Sequence, residues 1–301
     1  MVHDLPNVYG HEKNTLYIIG NGFDLAHGIL SKYKHFCCWL NLNGYEDYVT
    51  TLQKMFPTLD GQIDVLWRNF ESALEDLDLP YAFRQYVSFP KDNQNDNEWD
   101  NNIRIGNKLV KEIIDNIPIL LKKWAKQINA NVKPHFSGLN AESKYLSFNF
   151  TFTLEDVYHI PANNICHIHE SVRNDSKLIV GFNSPKSTNN LPAKSDEEEK
   201  AQRLFVESLN SLVKPKQKQI ERNKDFFTSL HDIDQIIVIG HSLSHVDLGY
   251  FAEVIRSVKR NSKWYFSTFG SADINRVMRF VKLVNYQQAY IDNYEWFDLS
   301  N

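Results

Sequence analysis

No stretch of this chain approaches the length of a membrane span, which takes about 20 consecutive apolar residues, so no membrane partner is expected. The opening MVHDLPNVYGHEKN is polar and lacks the apolar core of a signal segment. Cysteine is scarce. Cys37, Cys38 and Cys166 are odd in number and show no C-x-x-C spacing, which excludes a disulfide framework and reads as reduced thiols of a cytoplasmic protein. An excess of charge is missing too. The formal net charge is only -4, whereas a broad nucleic-acid face needs a basic surplus, so nucleic acid is not expected as a partner. The local basic stretch at 214–218 reads as a solvated helix end. Internal repeats are absent. Apolar mass is present: 42% of the 301 residues are hydrophobic, enough for a substantial core in a chain long for one domain and short for three.

Six short runs rich in β-branched or aromatic residues read as strands: TLYIIG, KYLSFNF, NICHIH, KLIVGF, QIIVIG and KWYFSTFG. Most are continuously apolar, the pattern of a parallel sheet covered on both faces. Segments of helical period lie between them. VLWRNFESALEDL puts Leu66, Phe70 and Leu74 on one face, with Trp67 beside it. A longer segment carries Ile103, Val110, Ile114, Ile117, Leu121, Trp124 and Ile128, with Pro118 expected to kink or split it. Ser195 and Glu198 form a candidate capping box ahead of an amphipathic helix bearing Leu204, Leu209 and Leu212, ended by Pro215. More than a hundred mostly helical residues separate the first two strands, whereas a βαβ crossover needs only ~30. The expected fold is therefore a single α/β domain over 1–301, a Rossmann-like, doubly wound, mostly parallel sheet with a large helical insertion at 40–140. The polar stretch 183–200 reads as a flexible loop, either a lid or a connector.

Chemistry-bearing residues gather at the predicted strand ends. LYIIGNGFDLAHGI, from Leu16 to Ile29, closes an apolar strand with Gly20-Asn21-Gly22 and feeds a helix. Backbone N–H groups in such a turn can hold phosphate; equally, the glycines can serve a turn that needs positive φ. The full G-x-G-x-x-G fingerprint is lacking, since position 25 is Leu25 and the next glycine is Gly28. Asp24 either caps the helix or binds ribose hydroxyls. Ligands of open α/β sheets sit beyond the carboxyl ends of strands. The other ends deliver Asn149, Thr151 and Glu155; His167, His169 and Glu170; and Gly240, His241, Ser242, His245 and Asp247.

Two sharper readings compete there. GHSLS resembles a G-x-S-x-G nucleophile elbow, but Ser244 replaces the second glycine, and no histidine follows His245 to complete an α/β-hydrolase triad. The other is a metal site: His167 and His169 on one side of a strand, with His241, His245 and Asp247 on a following helix, could hold a divalent ion. No compact zinc motif accompanies them, and no metal ligand is assigned.

Taken in order, IIGNGFDLAHGI, SFNFTFTLED, HIHE and IGHSLSHVDLGYF, with WRNFE carrying Trp67 and Glu71 between the first two, resemble the bacteriophage abortive infection AbiH family. That family in turn is distantly similar to sirtuin-like domains that bind and hydrolyse NAD. The resemblance implies that Gly20 and Gly22, with Asn21 and Phe23 in the same loop, cradle phosphate. Asn149, with Thr151 nearby, would hold the ribose and the attacking water, and His169 would be the base or a ribose contact. Gly240, His241, Ser242 and Asp247 would line the adenosine side, and Asp24 or Glu71 would stabilise positive charge on the sugar. This chain departs from the pattern at Asn21 (alanine in sirtuin-like domains), Asp24 (serine there), Glu170 (glycine in both groups) and Leu30 (proline in AbiH-like chains). The implied function is phage defence by an NAD glycohydrolase-type enzyme that takes NAD as substrate and needs no further cofactor. It would be silent until a phage trigger arrives, and would act as a homo-oligomer. Two alternatives remain beside it: a non-catalytic nucleotide sensor, and a metal-dependent nuclease or nucleotide hydrolase.

Overall fold

The structure, a computed structural model, describes residues 3–5, 14–57, 63–86, 96–128, 131–286 and 291–299. The chain divides into two compact units, one of residues 1–31, 125–178 and 215–301, the other of residues 32–124 and 179–214.

The first unit is built on a parallel sheet. Strands β1 (His3–Asp4) and β3 (Phe136–Ser137) pair with each other. The main sheet contains β2 (Thr15–Ile19), β4 (Lys144–Ser147), β5 (Ile165–His167), β6 (Gln235–Ile239), β7 (Lys263–Thr268) and β8 (Tyr294–Asp298), in the order β5-β4-β2-β6-β7-β8 with every pairing parallel. Numbered within the sheet, that is 3-2-1-4-5-6, the doubly wound Rossmann order. The winding reverses between β2 and β6, so a crevice is expected beyond their carboxyl ends.

Alternation of side chains across the pleat explains why β2 and β6 read as unbroken apolar runs. Leu16, Ile18, Ile236 and Val238 enter one core with Phe251, Val254, Phe280 and Val281 of the helices Leu248–Ser257 and Ser271–Tyr286. Tyr17, Ile19, Ile237 and Ile239 enter the other with Phe23, Phe136 and Leu154. Five of the six expected strands pair in this sheet. KLIVGF does not. Phe182 makes only an isolated bridge to Val213, and Gly181, at φ +145, lies so close to Leu212 that a Cβ there would stand 1.8 Å from its carbonyl oxygen. The sixth strand is instead β8.

Among its described residues, the second unit is mainly helical between Tyr33 and Trp124 and gains the helix Asp196–Asn210. VLWRNFESALEDL forms two short helices, Ile63–Arg68 and Phe70–Glu75, and Leu66, Phe70 and Leu74 are all buried. Pro118 does not split its helix, which runs from Asp96 to Ala125. The stretch 183–200 contains a 3-10 turn at Thr188–Asn190 and the first turn of the helix Asp196–Asn210. Ser195 caps that helix by accepting from the Glu198 N–H, while the Glu198 carboxylate reaches one residue further back, to the Lys194 N–H. Phe205, Val206 and Leu209 face the core, and Leu204 is exposed.

Two charged residues of this unit take roles their sequence context did not suggest. Lys214, expected on a solvated helix end, is wholly buried and paired with Glu71 at 3.0 Å. Glu71 also accepts from the Gly181 N–H at 3.0 Å. The acid of the WRNFE segment is thus a clamp on the chain around Gly181 and Lys214.

Candidate functional site

The loops that follow β2 and β6 touch backbone to backbone. Gly20 donates to the Ile239 carbonyl at 3.0 Å and Gly22 to the Gly240 carbonyl at 2.7 Å. A Cβ on Gly20 would lie 2.4 Å from the His241 Cα, one on Gly22 would lie 2.6 Å from the Gly240 Cα, and one on Gly240 would lie 2.3 Å from the Phe23 nitrogen. Gly20 has φ -115, so it is close approach and not a left-handed turn that calls for glycine there. The N–H groups of Gly20 and Gly22 are taken by carbonyls and are not the ones that would meet a phosphate. Substituting Gly22 by alanine is expected to destabilise the protein by about 1–3 kcal/mol through overpacking, measured by urea unfolding without any ligand; an unchanged midpoint would show that the seam can relax.

The helix Asn21–Ala26 begins at this seam. Asn21 is exposed and donates to the Ser31 carbonyl at 3.1 Å. Phe23 is fully buried, stacked on Phe136 with ring centroids 5.2 Å apart, so its side chain belongs to the core. Asp24 is neither a helix cap nor exposed. Its carboxylate accepts from the hydroxyls of Thr151 and Thr153, each at 2.7 Å. Burial pushes the carboxyl above the ordinary carboxylate range, while hydrogen bonds from Thr151, Thr153 and the Asn149 side chain, with the charge of His167, pull it back. The clasp ties the loop after β2 to the loop after β4.

That second loop presents Asn149, which is buried. Its N–H donates to the Ser147 hydroxyl at 3.2 Å, and its Oδ1 has no hydrogen-bond partner among the described residues. Beyond β5 stands His169, also buried, with Nε2 3.3 Å from Asp247 Oδ1. The other oxygen of Asp247 faces His241 Nε2 at 3.7 Å. The Leu243 N–H donates to His241 Nδ1 at 2.9 Å, which leaves Nε2 as the side of the ring turned to the carboxylate. Asp247 occupies the N-cap of the helix Leu248–Ser257 but makes no capping bond with its side chain. Phe148 lies edge-on to both imidazoles, 5.1 Å from His169 and 4.4 Å from His241. The ends of β4, β5 and β6 therefore converge on one buried His-Asp-His group.

A second histidine–acid pair stands beside it. His167 Nδ1 bonds the Asn149 carbonyl at 3.1 Å, and Nε2 faces Glu155 Oε1 at 2.9 Å. An open cleft of about 650 Å³ lies next to Thr151 and Phe152, with Asp156 and Arg173 on its wall, a size within the range of small-ligand sites. Arg173 stacks over the Phe152 ring at 3.9 Å and pairs with Asp156 at 2.6 Å.

The remaining sequence-read positions scatter. Ser242 and His245 are exposed. Glu170 adopts φ +64, a left-handed conformation that favours glycine, and its buried carboxylate pairs with Arg222 and accepts from Asn174 at 3.0 Å. It is therefore neutralised by Arg222. Among the described residues, no group of three or more His, Cys, Asp or Glu is arranged to hold a metal ion. Sequence reasoning missed Thr153 and the link from His27 Nε2 to the Tyr158 hydroxyl at 2.7 Å. Burial lowers the proton affinity of His27, and its Nδ1 donates to the Phe23 carbonyl, so the ring braces the turn.

No helix among the described residues is long and apolar enough to cross a membrane. No curated protein and no solved structure matches the chain. The family model described as bacteriophage abortive infection AbiH matches residues 16–268, a span that takes in the glycine seam, Asn149, His169 and Asp247, and the chain belongs to that family.

Proposed function

We propose that this abortive-infection protein binds NAD or a related nucleotide and hydrolyses the N-glycosidic bond to nicotinamide. The observation that supports the reading is that Asn149, with its unpartnered Oδ1, and His169, backed by Asp247, follow adjacent strands of a doubly wound sheet at their carboxyl ends. The resemblance of the sequence motifs to sirtuin-like domains, an expectation from the sequence alone, is in keeping with this reading. Nicotinamide leaves from an oxocarbenium-like centre, and one water adds to the sugar carbon. Asn149 Oδ1 orients that water or the neighbouring hydroxyl. His169 takes the proton the water gives up, and Asp247 stabilises the imidazolium that results. The products are ADP-ribose, nicotinamide and a proton. In the setting of phage infection, depletion of the nucleotide arrests the infected cell, and a phage trigger switches the enzyme on.

The test is to incubate the protein with NAD, ATP and RNA in parallel, alone and in lysate of infected cells, and to follow products by mass spectrometry. Nicotinamide released in step with ADP-ribose is the expected result. Binding of NAD in calorimetry without release under either condition would make the protein a nucleotide sensor and overturn the hydrolase.

A further inference from the structure

Two acceptor atoms stand out in the polar chain between β4 and β5. Asn149 Oδ1 and Glu155 Oε2 are both buried, and neither has a hydrogen-bond partner among the described residues. A buried acceptor left without a donor is costly, so such atoms ordinarily find one. The two belong to one chain of bonds. A single imidazole, His167, is bonded to the Asn149 carbonyl on one side and faces Glu155 Oε1 on the other, at 3.1 and 2.9 Å. It fixes both the backbone that carries the carboxamide and the carboxylate that carries the second oxygen. Phe152 packs against the same ring, centroids 5.2 Å apart, and sets its plane. Asp24 adds another acid to the network through the Asn149 side chain. A ligand group that satisfies this pair must bring two donors and no negative charge. A phosphate meets neither condition; two adjacent hydroxyls meet both.

We propose that Glu155 Oε2 and Asn149 Oδ1 accept the two hydroxyls of a ribosyl vicinal diol, which makes Glu155 a sugar-binding residue of this site. The inference rests on the nucleotide reading above and names the part of the ligand this acid recognises. Glu155 discriminates against a sugar that lacks the diol, because its oxygen is then left unpaired in a buried place.

Calorimetry on the full chain tests it, with carba-NAD, whose glycosidic bond does not break, and its counterpart lacking the 2′ and 3′ hydroxyls of the nicotinamide-side sugar. Wild type is expected to bind the diol at least about tenfold more tightly than the dideoxy compound. Glu155→Gln keeps a polar contact to His167 and is expected to lose most of that preference while binding the dideoxy compound as wild type does. Glu155→Asp, which withdraws the oxygen by one methylene, should behave alike and serves if the glutamine variant does not fold. A purely structural role for Glu155 would weaken both ligands equally. An unchanged preference in the variants, or no preference in wild type, overturns the inference alone. Failure of wild type to bind either compound overturns the nucleotide reading and this inference with it.

Discussion

Replacing His169 or Asn149 by alanine is expected to lower nicotinamide release from NAD by about 10²–10⁴-fold each, the range over which a positioned proton acceptor or water-orienting group acts. His169 sits 3.3 Å from Asp247, so its loss strands a buried carboxylate that His241, at 3.7 Å, still faces. That second partner is why the fold should survive. Asn149→Ala removes one of three side chains that hydrogen-bond Asp24 and leaves Thr151 and Thr153 in place. Initial rates by chromatography, with circular dichroism to confirm folding, decide the matter. Wild-type turnover in either folded variant would refute the assignment of roles.

The second large effect concerns stability. Lys214→Met is expected to lower the unfolding free energy by about 3–5 kcal/mol, the usual result of removing one partner from a buried ion pair. The Lys214 side chain is 0% exposed, and its Nζ lies 3.0 and 3.1 Å from the two oxygens of Glu71. Without the ammonium, Glu71 keeps the Gly181 N–H as a donor but loses its counter-charge. The double variant Lys214→Met with Glu71→Gln should recover part of the loss, since no unpaired charge then remains. Urea unfolding measures both. A single-variant change under about 1 kcal/mol would show that water reaches the pair and that the clamp is weak.

How much of this could be read beforehand follows from what periodicity reports. β2 and β6 were legible because both faces of each strand are covered, and unbroken apolar runs signal that directly. KLIVGF carries the same apolar signal, and Val180 and Phe182 are indeed buried. Burial is not pairing, however, and only the approach of Leu212 to Gly181 shows that the run packs against a chain segment instead of joining a sheet. β8 escaped notice because it is an edge strand whose Trp296 is exposed and whose Glu295 pairs with Lys263. Asn149, His169 and Asp247 were visible as polar residues at strand ends. Their grouping was not, nor was the clasp between Asp24 and Thr153, 129 positions apart in the chain. The glycine turn looked like an anion nest, and nothing local in the sequence reveals that its N–H groups meet carbonyls from a strand more than two hundred residues later.

The glycine seam carries a consequence for how such a protein can diversify. At three positions at the mouth of the sheet a side chain would force neighbouring backbone to shift, so drift there is costly. Asn21 and Ser242, which flank the seam and point outward, are the neighbours where substitution is sterically cheap. Under the nucleotide proposal, new preferences among ligands should therefore arise by change at those two positions, with the seam between β2 and β6 left untouched.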